Sequence, residues 1–163
     1  MQPMATPHLE PDAGPIWVPK DPDYDARVRA GFDGQAVMRL IGARLVALRP
    51  GYCRIELLFR PDLTQQHGFI HAGIVSTIVD SAGGFAGFTL FPANASVLTA
   101  EFKLNLLAPA VGERLIAVGE VVKSGRTLVI TRGEVYAEAG GKRTLCAIMQ
   151  QTLMVMADKQ AGA

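Results

Sequence analysis

The chain has 163 residues, 49% of them hydrophobic and 19% charged, with a formal net charge of +1. That length suits one domain with a real core, and the composition is globular rather than disordered. The near-neutral balance and the lack of a Lys/Arg-rich run argue against nucleic acid as a partner.

Residues 1–22 carry six prolines and no periodicity, which predicts a flexible arm ahead of a single domain over 23–163. The opening MQPMATPHLEPDAGP has acids and prolines but not the apolar stretch of a secretion signal. DYDARVRAGFDGQAVMRL, from Asp23 to Leu40, is weakly helical and broken by Gly31 and Gly34, so one or two short helices are expected. GARLVALRPGYCRIELLFR reads as two strands joined by a turn at Pro50 and Gly51. PDLTQQHGFIH reads as a loop. Residues 72–90 then run without proline and read as a helix. Four strand-like runs follow, over 95–107, 113–123, 127–138 and 143–156, separated by the turns APAVGE, KSGR and EAGGKR.

Two strands, one long helix and four more strands predict the α+β class, with an antiparallel sheet packed on the helix. The helix is apolar on nearly every face and must be covered on every side. A strongly curved sheet would cover most of it and a second subunit the rest. A membrane span is excluded for residues 72–91, which hold four glycines, hydroxyls and Asp80 without flanking basic anchors. A soluble cytoplasmic protein is therefore expected. Cys53 and Cys146 sit in apolar strand-like text, in no metal-binding spacing, and read as buried free thiols.

Asp80 is the acid that the predicted helix has to explain. A lone carboxylate is costly to bury. Asp80 lies too far into the helix to be an N-cap, and its i±3 and i±4 neighbours are Ser76, Thr77, Gly83 and Gly84, none of them basic. Ser76, Ser81 or a partner's strand could hold it as a purely structural group. In a cleft it is a candidate general base or nucleophile. At the start of the same helix, the free N–H groups of Ala72 and Gly73 carry partial positive charge and suit a carbonyl oxygen that becomes an oxyanion. Tight helix–sheet packing would account for the glycines equally well.

The segment HGFIHAGIVSTIVD resembles the signature of the PaaI-type acyl-CoA thioesterases, which have the hot-dog fold. The matching positions are Gln65, His67, Gly68, His71, Gly73 and Asp80. TAEFKLNLLAPAVGERLIAVGEVVKSGRTLVITRGEVYAE is similar to the family's strand text, so the resemblance spans about residues 40–156. Two positions differ from the usual pattern: Ala72 stands where Gly is usual, and Gln65 where Asn is common. The resemblance implies a curved sheet around a central helix and hydrolysis of an acyl-CoA thioester. It also implies a homodimer that shares its sites across the interface, and often a tetramer. No cofactor or metal is implied, CoA being part of the substrate.

The resemblance gives Asp80 the role of base or nucleophile and Ala72 and Gly73 that of oxyanion donors. Gln65 would hold the water or the thioester, and Thr99 would orient the attacking water. His71 and His67, with Gly68, become positioning or loop-fixing residues. The CoA phosphates call for cations at the entrance, for which Lys103 and Arg126 are candidates. A helix rises about 1.5 Å per residue, so Asp80 and Ala72 of one chain lie roughly 12 Å apart along its axis. A base must lie within about 3 Å of its proton, directly or through one water. The two groups can then serve one carbonyl only if they come from different chains of a two-fold dimer. Two other readings stay open: a hot-dog protein that binds acyl thioesters without turnover, and a hydratase or dehydratase using His71.

Overall fold

The computed structural model describes residues 15–157. Two short helices, α1 (Tyr24–Gly34) and α2 (Ala36–Ile41), precede the hairpin of β1 (Arg44–Arg49) and β2 (Tyr52–Leu58). A single 3-10 turn, Pro61–Leu63, interrupts the predicted loop before the long helix α3 (Ala72–Phe88). Strands β3 (Ala95–Leu106), β4 (Arg114–Ser124), β5 (Leu128–Ala139) and β6 (Lys142–Ala157) complete one antiparallel sheet in the order β1-β2-β4-β5-β6-β3. This is the α+β hot-dog architecture that the sequence predicts. Residues 1–14 of the predicted arm lie outside the described residues. Trp17, within the arm, packs on the main core and lies against Gly51 in the β1–β2 turn.

The sheet curls around α3, whose residues from Ser81 to Phe88 are all buried. Close approach is possible because Gly119 and Gly133, register partners on β4 and β5, have no side chains toward the helix. A Cβ on Gly119 would overlap the backbone of Ala82, and one on Gly133 would overlap Val79. Val75, Ile78, Val79, Ala82, Phe85 and Ala86 fill the interior. Phe85 meets Phe32 of α1 edge to face, with ring centroids 5.8 Å apart.

Both helix ends are fixed by side chains. His71 is the N-cap, its Nδ1 accepting the Gly73 N–H at 2.9 Å. Beyond the other end, Arg27 of α1 donates to the Phe91 carbonyl at 3.0 Å and stands 4.2 Å over the Phe88 ring. Asp21 holds Arg27 at 2.7 Å, so a cation faces the negative end of the helix. The two cysteines are free and buried. Burial pushes both thiols up, that of Cys146 to about 11.

Candidate active site

Asp80 sits on the one side of α3 that the sheet leaves open, in line with Gly73, Ser76 and Thr77, and it is half-buried. Its Oδ1 accepts the Thr99 hydroxyl of β3 at 2.9 Å and the side-chain amide of Gln151 of β6. The Gln151 Nε2 also reaches the Asp80 backbone carbonyl at 3.1 Å and Thr99 Oγ1 at 3.2 Å. Among the described residues nothing donates to Oδ2. Burial raises the Asp80 carboxyl above its ordinary value, and the two hydrogen bonds pull the other way. The acid is therefore held by neutral donors from its own chain. Neither serine named as an alternative holder does this, since Ser81 donates instead to Gln35 at 3.2 Å.

The helix N-terminus is more selective than its sequence suggests. The Gly73 N–H is taken by His71, and the Ile74 and Val75 N–H groups go to the His71 carbonyl at 2.9 and 3.2 Å. Only the Ala72 N–H is left without an acceptor among the described residues, which makes it the free donor of the first turn. Because His71 Nδ1 accepts, the proton of its neutral ring is on Nε2.

Gln65 belongs to the loop before the helix. Its N–H donates to the Phe69 carbonyl at 2.8 Å, its carbonyl accepts from Gly68 at 2.9 Å, and its side-chain oxygen accepts the His67 N–H. Gly68 has φ of 80°, a left-handed turn position suited to glycine. The Gln65 amide nitrogen is thus the end still available to a ligand. Lys103 stands on the outer face of the sheet in register with Gln150 and Arg132, all three exposed, and is not brought beside Asp80. Arg126 is exposed in the β4–β5 turn.

The run SAGGFAG divides by position. A Cβ on Gly83 would overlap Gln151 and stand 2.9 Å from Thr131 Oγ1, and one on Gly87 would overlap Leu153. Gly84, one turn beyond Asp80, is buried yet has nothing within 4 Å of the place a Cβ would take. Phe85, Phe88 and Phe91 are core residues in aromatic contact with Phe32 or with one another, and Phe69 is half-buried in the loop.

Sequence reasoning missed Gln151 and Thr131. Thr131 of β5 is fully buried and donates to Gln151 Oε1 at 2.8 Å, while Gln151 is 2% exposed. A signal was present in CAIMQQTLMVM. The strand period of two puts Ala147, Met149, Gln151 and Leu153 on one side, and an amide among three apolar inward residues calls for a partner.

The sequence model of the thioesterase superfamily matches residues 67–144, a stretch that contains Asp80 and Thr99 but neither Gln65 nor Gln151. The crystal structure of a thioesterase family protein from Silicibacter pomeroyi is 48% identical, with a TM-score of 0.81, over 82% of this chain and 98% of that one. Acyl-coenzyme A thioesterase 13 of Homo sapiens is 27% identical over 60% of this chain and 70% of its own length. The PaaI protein from the Escherichia coli phenylacetic acid degradation operon is only 13% identical but has the same fold, with a TM-score of 0.75 over 85% of this chain and 96% of that one.

Proposed function

The chain belongs to the thioesterase superfamily and is a thioester hydrolase, and we propose that it cleaves acyl-CoA to a free acid and CoA at a site shared by two subunits. The observation that carries this reading is the Asp80 carboxylate. It is half-buried on the open side of α3, with Oδ1 held and Oδ2 free of any donor among the described residues. An oxygen so placed can take a proton from water, and a carboxyl raised above its ordinary value is a stronger base than an exposed one.

In the proposed step Oδ2 removes a proton from water as the water oxygen bonds to the thioester carbon. The carbonyl oxygen becomes an oxyanion against the Ala72 N–H of the other subunit. When the intermediate collapses, the C–S bond breaks, and the CoA sulfur leaves with the proton returned from Asp80. Direct attack by Oδ2, through a mixed anhydride that water then opens, is the variant route. Gln65 Nε2 is assigned to the thioester or the water, Thr99 to the Asp80 carboxylate, and His71, His67 and Gly68 to the shape of the loop. Arg126 and Lys103, neither ion-paired among the described residues, are assigned to the CoA phosphates.

Two features support the dimer. Asp80 and Ala72 are eight positions apart on one helix, roughly 12 Å. β3 is an edge strand of 12 residues with Leu98, Phe102 and Leu106 exposed, and a long apolar edge calls for cover. The opposite edge, β1, has only six residues and a bulge.

The test is thiol release from short, medium, long-chain and aryl acyl-CoAs by the wild type and by Asp80→Asn. Turnover of at least one class that collapses in Asp80→Asn is expected. A wild-type oligomer that binds but turns over none of them would be an acyl-thioester-binding protein instead. A change in enoyl absorbance without thiol release would mark a hydratase.

A further inference from the structure

Gln151 reads two acceptors at once. Its Nε2 donates to the Asp80 carboxylate and to the Asp80 backbone carbonyl, while its Oε1 receives the Thr131 hydroxyl at 2.8 Å. A flipped amide would point Oε1 at those two acceptors, neither of which has a proton to give, and would take the acceptor away from the Thr131 hydroxyl. The surroundings therefore allow one orientation of the amide. The amide and its hydroxyl partner lie out of water, with Gln151 2% and Thr131 0% exposed, where an unpaired polar group is costly and a paired one is rigid.

We propose that Gln151, oriented by Thr131, is a positioning residue for the catalytic carboxylate: it holds Asp80 by Oδ1, turns Oδ2 toward the water, and keeps the carboxylate ionised. This role rests on the reading of Asp80 as the base. Thr99 supplies the second bond to Oδ1 from β3, so the acid is gripped from two neighbouring strands. Among the described residues no charged side chain shares the work. On α3 there is no other ionisable residue. On β3, Glu101 accepts from Thr152 at 3.0 Å and is exposed, and Lys103 lies on the outer face. On β5, Arg132 pairs with Glu120 at 3.0 Å, also in the open. The charged residues of β6, Lys142 and Arg143, stand at its far end, where Arg143 pairs with Glu138. Two neutral donors then offset the desolvation that disfavours the ionised form.

The experiment compares kcat and kcat/KM against pH for the wild type, Gln151→Met, Thr131→Val, Thr131→Ser and Asp80→Asn. Methionine has nearly the shape of glutamine without its donor. In Gln151→Met the acid limb should move up by about one pH unit and plateau kcat should fall about tenfold, with KM within about twofold. Thr131→Val, which takes the donor away from Oε1 and leaves the amide held only through Nε2, should shift the limb the same way by less, and Thr131→Ser should restore it. A wild-type pH profile and kcat in Gln151→Met, beside an inactive Asp80→Asn, would overturn the positioning role alone and leave Asp80 as the base. Full turnover in Asp80→Asn would overturn the base and this role together. Should Gln151→Met fail to fold, the Thr131 pair decides: coincident profiles for valine and serine overturn the proposal, and separation supports it.

Discussion

Gly83 and Gln151 occupy one space: the hydrogen of the glycine faces the amide oxygen that Thr131 holds, and a methyl group there would overlap it. The nearest atom is the end of a side chain, not backbone, so Gln151 can give way. Gly83→Ala should therefore cost about 1–3 kcal/mol of stability as an overpacked position, but its larger effect should be a drop in kcat as Gln151 moves off Asp80. Gly84→Ala is the control, since its Cβ meets nothing within 4 Å. Alanine there should stabilise α3 by about 0.5–1 kcal/mol. Melting temperatures and thiol-release rates of the two variants check this, and a destabilised Gly84→Ala would mean that another subunit fills the space.

Asp80 should make the folded protein less stable at neutral pH. Burial holds its carboxyl above the ordinary value of 3.8, so the folded chain keeps that proton more tightly than the unfolded chain. Stability then falls as pH rises from the ordinary value through the raised one, and the deficit is complete above it. Asparagine keeps the oxygen that Thr99 and Gln151 bond, and its NH2 replaces an oxygen with no donor. Asp80→Asn should melt above the wild type at pH 7.5, with the gap closing below about pH 4. Thermal scans across that range read the sign directly.

Phe102 faces solvent on the β3 edge at 47% exposure. If β3 of two chains meet, Phe102→Asp places like charges in the seam. Light scattering should then show a monomer with unchanged circular dichroism, and thiol release should fall at least a hundredfold, because a monomer lacks the second half of the site. An active monomer would put the whole reaction within one chain.

The fold was legible because turn residues bound each strand-like run and one long stretch lacks proline. The strands from β3 to β6 lie within a residue or so of the runs read from Val, Ile, Thr and Leu, and the proline-free stretch became α3. Asp80 was legible because a lone acid in apolar helical text has few explanations. Its partners were less so. Thr99 was named through a resemblance, whereas Gln151 comes from 71 positions along the chain, and only strand register places it there. The Gly73 N–H, expected as a donor to ligand, is taken by the N-cap His71, because a histidine at an N-cap can face its own helix as well as the ligand.

Ala72 offers the cleanest test of the shared site. It is the first residue of α3, its N–H has no acceptor among the described residues, and His71 before it has φ −61° and ψ 139°. Proline is at home at the first helical position and demands that extended conformation of the preceding residue. Ala72→Pro should therefore fold normally while losing one N–H, and kcat should fall about 10²–10³-fold if that group binds the oxyanion. Asp80→Asn should be inactive for a different reason. If each site combines Asp80 of one chain with Ala72 of the other, a hybrid dimer of the two variants has one site with both defects and one with neither. Unfolding and refolding an equal mixture makes half the dimers hybrid, so about a quarter of wild-type activity should return. A site built within a single chain predicts no recovery, because every site then carries one defect.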